Sequence, residues 1–178
     1  MSKDILPEVN DFGAVLRIIE NSKERALKAV NTELINMYWK IGEYLSALCS
    51  ESSFGDKIID EVAKYISETA SNQKGFNRRN LYRMKQFYET YKDDEFVSAL
   101  LTQISWTNHL LIMSGCKTTD ERYFYMQLCI KEHYSKRELE RQMDSAYYER
   151  YTLSEGKPPL ELVPQNVRSS ILDKRICL

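Results

Sequence analysis

Apolar residues recur every three or four positions through most of this chain, and the stripes they draw predict helices joined by short polar connections. Val15 to Cys49 contains no proline and reads as one long helix or two collinear ones. Within it Leu27, Val30, Leu34, Met37, Ile41, Tyr44 and Leu48 alternate by three and four, an a/d seam of about three heptads. Such a seam needs a partner surface; the domain's own core is the first to expect, and a helix-to-helix homodimer through Leu27–Leu48 the second. Gly42, inside this helix at a cost of about 1 kcal/mol relative to Ala, points to another backbone passing close by. Ser50 to Gly55 is loop-like, and Asp56 is a plausible cap for a helix striped by Ile58, Ile59, Val62, Ile66 and Thr69.

The stretch from Gly75 to Tyr91 follows. Gly75 offers a cheap positive φ, and Asn77 suits a helix start. At about 100° per residue Leu81, Met84, Phe87, Tyr88 and Tyr91 share one side, and Arg78, Arg79, Tyr82, Arg83, Lys85 and Gln86 the other. Between Lys74 and Lys92 six bases face one acid, a local net charge of +5 in a chain of net charge −1. A stabilising helix, a Gly-containing turn and a basic amphipathic helix follow the order of a helix-turn-helix, with a connection longer than the tightest examples. The competing reading is a solvated surface helix.

Downstream, Phe96 to Leu101 is apolar, Ser105 caps a helix carrying Trp106, Leu110 and Met113, and Gly115 is expected to end it in a left-handed conformation. Another helix starts at Thr119 or Asp120. Ser135-Lys136-Arg137-Glu138 is a capping box leading into Leu139, Met143 and Ala146. From Ser154 to Pro159 the composition becomes that of a linker, so residues 1–153 are expected to form a helical domain and 154–178 a linker and tail leading toward a further domain.

Composition narrows the class. With 178 residues, 43% hydrophobic and 29% charged, the chain is an ordinary globular sequence able to bury a core. Four cysteines without a paired motif, and only two histidines, argue against a zinc site and fit reduced thiols in the cytoplasm. No apolar run approaches a membrane span. Phosphate-loop, nucleophile-elbow and zinc-protease motifs are missing, as is the proline-aspartate with a downstream acid-x-lysine of a metal-dependent nuclease. His109, beside Trp106 and Leu110, reads as a hydrogen-bonded, partly buried side chain. No catalytic residue, metal or cofactor is expected of this chain.

Three segments together resemble a family. Val30-Asn31-Thr32-Glu33-Leu34-Ile35 through Tyr38-Trp39-Lys40-Ile41-Gly42, Phe76 to Met84 with Phe87-Tyr88, and Ser105-Trp106-Thr107-Asn108-His109 with Ser135 to Gln142 resemble the N-terminal domain of the YhcG family, over about residues 10 to 152. The resemblance implies an all-α domain, usually followed by a PD-(D/E)xK nuclease domain, that binds DNA and delivers the nuclease; cleavage does not carry over, because no residue here matches the nuclease motif. The order of the basic helix, Ser105 to His109, Asp120 with Arg122 and Ser135 to Glu140 is also similar to the DNA-binding region of ParB-type partition proteins, an analogy of fold only.

The reading is therefore an all-α, multi-helix domain with a long N-terminal helix and a helix-turn-helix-like unit that binds duplex DNA. Arg78, Arg79, Arg83 and Lys85 are the candidates for phosphate or guanine, Gln86 for adenine, and Tyr82 for phosphate or stacking. Lys136 and Arg137, at the capped start of a later helix, are further phosphate candidates. The rival is a helical protein-interaction or dimerisation module without nucleic-acid binding.

Overall fold

The computed structural model describes residues 12–51, 55–70, 72–94, 97 and 100–155. These form seven labelled α-helices with no strand: α1 (Phe12–Glu51), α2 (Gly55–Thr69), α3 (Arg78–Tyr91), α4 (Trp106–Gly115), α5 (Thr119–Glu132), α6 (Lys136–Asp144) and α7 (Tyr147–Glu155). The all-α architecture and the long first helix are as the stripes predict. Cys177 and the residues after Glu155 lie outside the described part, and α7 carries helix through Ser154 and Glu155, two residues into the stretch expected as linker.

The helix starts follow from local chemistry. Orphan amide donors in a first turn are met by a side chain at the cap, worth about 1 kcal/mol each. Asn77 Oδ1 accepts from the Asn80 amide at 3.0 Å, Ser105 Oγ from Asn108 at 3.3 Å and Thr118 Oγ1 from Glu121 at 3.2 Å. At α6 the Ser135 amide donates to Glu138 Oε2 at 2.8 Å, the return arm of the capping box. Helix α2 begins at Gly55, so Asp56 falls in its first turn rather than before it.

Two buried clusters share α1. The larger gathers Ile35, Phe87, Ile112, Phe124, Tyr125 and Leu139; the smaller gathers Leu45, Ile59, Leu81 and Met84. Tyr38 and Trp106 border both, their rings 4.6 Å apart. Phe87 is fully buried, with Trp39, Tyr91, Trp106 and His109 all meeting it edge-on. This geometry suits the aromatic quadrupole and adds to the apolar burial. The face of α1 that reaches the core is Ile35, Tyr38, Gly42 and Leu45, and at Gly42 any Cβ would overlap the Met84 carbonyl of α3. The close backbone approach signalled by that glycine is real.

Two expectations fail here. The heptad seam of α1 is not the spine of the domain's core: Leu27 is 72%, Val30 58% and Tyr44 63% exposed, and every residue from Val15 to Val30 is exposed. The core stripe lies about a third of a turn round from the seam, whose Met37, Ile41 and Leu48 are half-buried, Ile41 against the smaller cluster. Gly115 has no positive φ; instead its missing Cβ makes room for the Met143 methyl. The left-handed positions fall on Gly75 (φ 99°), His133 (φ 53°) and Ala146 (φ 51°), the last dividing the expected final helix into α6 and α7.

Candidate nucleic-acid interface

Helix α3 presents two faces. Leu81, Met84, Phe87 and Tyr91 are buried, Tyr88 is half-buried, and Arg78, Arg79, Tyr82 and Gln86 are exposed with Arg83 and Lys85 at the margins. The wheel assignment therefore holds for the buried side, and α3 takes its packing chiefly from α1, less from α2. The helix follows an eight-residue connection in which Gly75 uses its positive φ. Asn80 Nδ2 ties that turn to the helix by donating to the Gly75 carbonyl at 2.9 Å.

The cations on this face are not equivalent. Arg78 Nε meets Asp60 of α2 at 2.5 Å. Lys85 Nζ lies 2.8 Å from Glu89 Oε1, the same oxygen that accepts from Ser46 of α1 at 2.9 Å. Burial alone pulls the Lys85 ammonium down, but hydrogen bonding and charge pairing with Glu89 outweigh it and leave its pKa raised. Burial likewise pushes the Glu89 carboxyl up, and the bonds from Lys85 and Ser46 more than offset it, leaving it lowered. This arrangement ties α3 to α1 and leaves the Lys85 charge already partly paired within the fold. Among the described residues no ion pair engages Arg79 or Arg83, so these two, with Tyr82 and Gln86 beside them, are the accessible part of this helix face. The Tyr82 ring is half exposed with the Lys85 ammonium 5.9 Å from its centre.

Lys136 and Arg137 are exposed in the first turn of α6. That helix packs on α4 and α7, whereas α3 packs on α1, α2 and α4, so the two basic sets occupy different parts of the fold. The partners Asp60 and Ser46 were not readable from the sequence, because nothing local relates them to α3; Glu89, four residues after Lys85, was.

His109 is fully buried, its Nε2 2.9 Å from the Leu101 carbonyl, and burial lowers its pKa to about 4. The Cys116 and Cys129 thiols are pushed up to about 12 by burial, far from thiolate formation at neutral pH. Among the described residues no group of His, Cys, Asp or Glu could hold a metal ion, and no helix is long and apolar enough to cross a membrane.

Comparison with known proteins follows the same residues. The sequence pattern of the DUF1016 N-terminal domain matches residues 14–150, from the first turn of α1 into α7. The chain belongs to the DUF1016 N-terminal domain family. It is similar to a curated Escherichia coli (strain K12) protein named "Putative nuclease YhcG", with 22% identity over 176 aligned residues, covering 80% of this chain and 46% of that protein. The chain thus spans less than half the length of that relative. No solved structure matches it. The DUF1016 N-terminal domain accordingly coincides with the helical unit that carries the α3 face.

Proposed function

We propose that this DUF1016 N-terminal domain binds duplex DNA through the exposed face of α3 and, in the cytoplasm, targets a nuclease domain attached beyond its C-terminal tail. The observation that carries the reading is the concentration of cationic, hydrogen-bonding and aromatic groups on one helix of a nearly neutral chain. Arg79 and Arg83, one turn apart, would meet phosphate or guanine, Gln86 adenine, and Tyr82 a phosphate or a base. Arg78 and Lys85 would contribute field, and position the helix through Asp60 and Glu89. Lys136 and Arg137 would reach phosphates outside the main groove. The α2–turn–α3 unit would act as the helix-turn-helix, and residues 154–178 as the linker and tail. The nuclease named in the similar protein supports the setting.

Titration of labelled duplex at increasing salt tests this. Four phosphate contacts give a slope of about −3.6 in log K against log salt, so affinity falls about a hundredfold between 50 and 200 mM. Arg79→Glu/Arg83→Glu, both at exposed or marginal positions, is expected to keep the thermal midpoint and weaken binding at least about a hundredfold. A folded double variant that binds duplex as tightly as the parent would overturn the reading.

A second reading is favoured by one observation, the exposure of Leu27, Val30, Leu34 and Tyr44 on the seam of α1: the domain assembles with itself through the Leu27–Leu48 helix.

A further inference from the structure

Helix α1 carries two apolar stripes, and only one is used. Beyond the core stripe, Phe12, Val15, Leu16, Ile19, Leu27, Val30 and Leu34 are all exposed on a second face that continues through Met37 and Ile41 to Tyr44. One charge, Lys23, interrupts this face, and Glu33 sits at its edge. At about 1.5 Å per residue the face runs about 48 Å from Phe12 to Tyr44, long enough for a specific interface of about 800 Å² per partner.

We infer that a second copy of the chain covers this face as an antiparallel helix pair, with the two-fold axis level with Lys28. The register rests on the assembly through α1 proposed above and adds its geometry. About this axis Phe12 meets Tyr44 of the other copy, Val15 meets Ile41, Ile19 meets Met37, and Ala26 meets Val30. The exposed half of the stripe thus covers the half nearer the core, once in each direction, as an isologous interface requires. Lys23 falls opposite Glu33, twice per dimer, so the charge that breaks the stripe finds its counter-charge. Sliding the pairing by three residues would put Lys23 on Val30 and Glu20 on Glu33, a like-charge contact. Phe12 also arrives beside the mouth of an open apolar cavity of about 310 Å³ lined by Ile41, Tyr44, Val62, Ile66 and Phe76. The pair would carry two α3 faces related by the two-fold.

Sedimentation equilibrium of the full chain from 1 to 100 μM decides the matter. The parent is expected to be a dimer. Val30→Glu, at an exposed site, is expected to retain its helical circular dichroism and weaken dimerisation more than a hundredfold. Lys23→Glu or Glu33→Lys alone is expected to weaken it about tenfold, and the double reversal Lys23→Glu/Glu33→Lys to restore it within about twofold. A parent that stays monomeric at 100 μM, or a dimer indifferent to Val30→Glu, overturns assembly through α1 altogether. A dimer broken by Val30→Glu whose double reversal is no better than the singles overturns the antiparallel register while leaving the interface.

Discussion

Single residues here divide by whether their charge is already satisfied. Arg78 and Lys85 look like DNA contacts in the sequence, yet each is bonded to an acid of the fold, whereas Arg79 and Arg83 stand without such a partner among the described residues. His109 shows the opposite case, a titratable group with no compensating charge. Burial holds it neutral, so its pKa is about 4 in the folded chain against 6.5 when solvated. The unfolded chain therefore binds the extra proton first. The stability tied to neutral His109 is complete above about pH 6.5 and falls away as the pH drops toward 4, by up to about 3 kcal/mol. Urea unfolding at pH 7.5 and 4.5 checks this: His109→Gln is expected to be less stable at both, but to lose about 2 kcal/mol less between them. Equal losses in the two proteins would show that His109 does not drive the acid sensitivity.

Among elements, the glycines separate two kinds of close contact. Gly42 faces backbone, the Met84 carbonyl, while Gly115 faces the flexible end of Met143. Gly42→Ala is therefore expected to destabilise by about 3 kcal/mol or more, since a helix must move, and Gly115→Ala by about 1 kcal/mol, since a methionine can re-rotamer. Thermal melts of the two variants give the ranking; a reversed order would refute the account. What the sequence made legible follows the same division. Caps at Asn77, Ser105 and Ser135, the close approach at Gly42 and the two faces of α3 rest on short-range rules, so they could be read directly. The core side of α1 could not. Both of its stripes are apolar, and the choice between them depends on where α2 and α3 return, which periodicity does not encode. The break at Ala146 was hidden for a related reason: alanine favours helix locally, whereas its φ of 51° occurs where the α7 tyrosines that follow it pack around Phe124, a long-range contact that local propensity does not encode.

For the whole molecule, solvation is uneven along one continuous helix. From Val15 to Val30 α1 is exposed, and from Ile35 to Leu45 it is held between two clusters. Amide exchange is expected to be fast over residues 15–30 in dilute chain and slow over 35–45, with the first segment gaining protection as concentration rises through the dimer range. Uniform protection at every concentration would mean that this half of α1 is supported within a single copy. Where the two regions meet, Asn31 Nδ2 donates to the carbonyls of Thr102 at 2.8 Å and Ile104 at 3.1 Å. Those acceptors lie 71 and 73 residues further along the chain. A ribosome adding about 5–20 residues per second makes Asn31 wait about 4–14 s for the first of them. Early in that interval, before α2 and α3 are made, the first helix has both stripes uncovered, so a neighbouring nascent chain can reach the seam before the chain's own later helices close the core side.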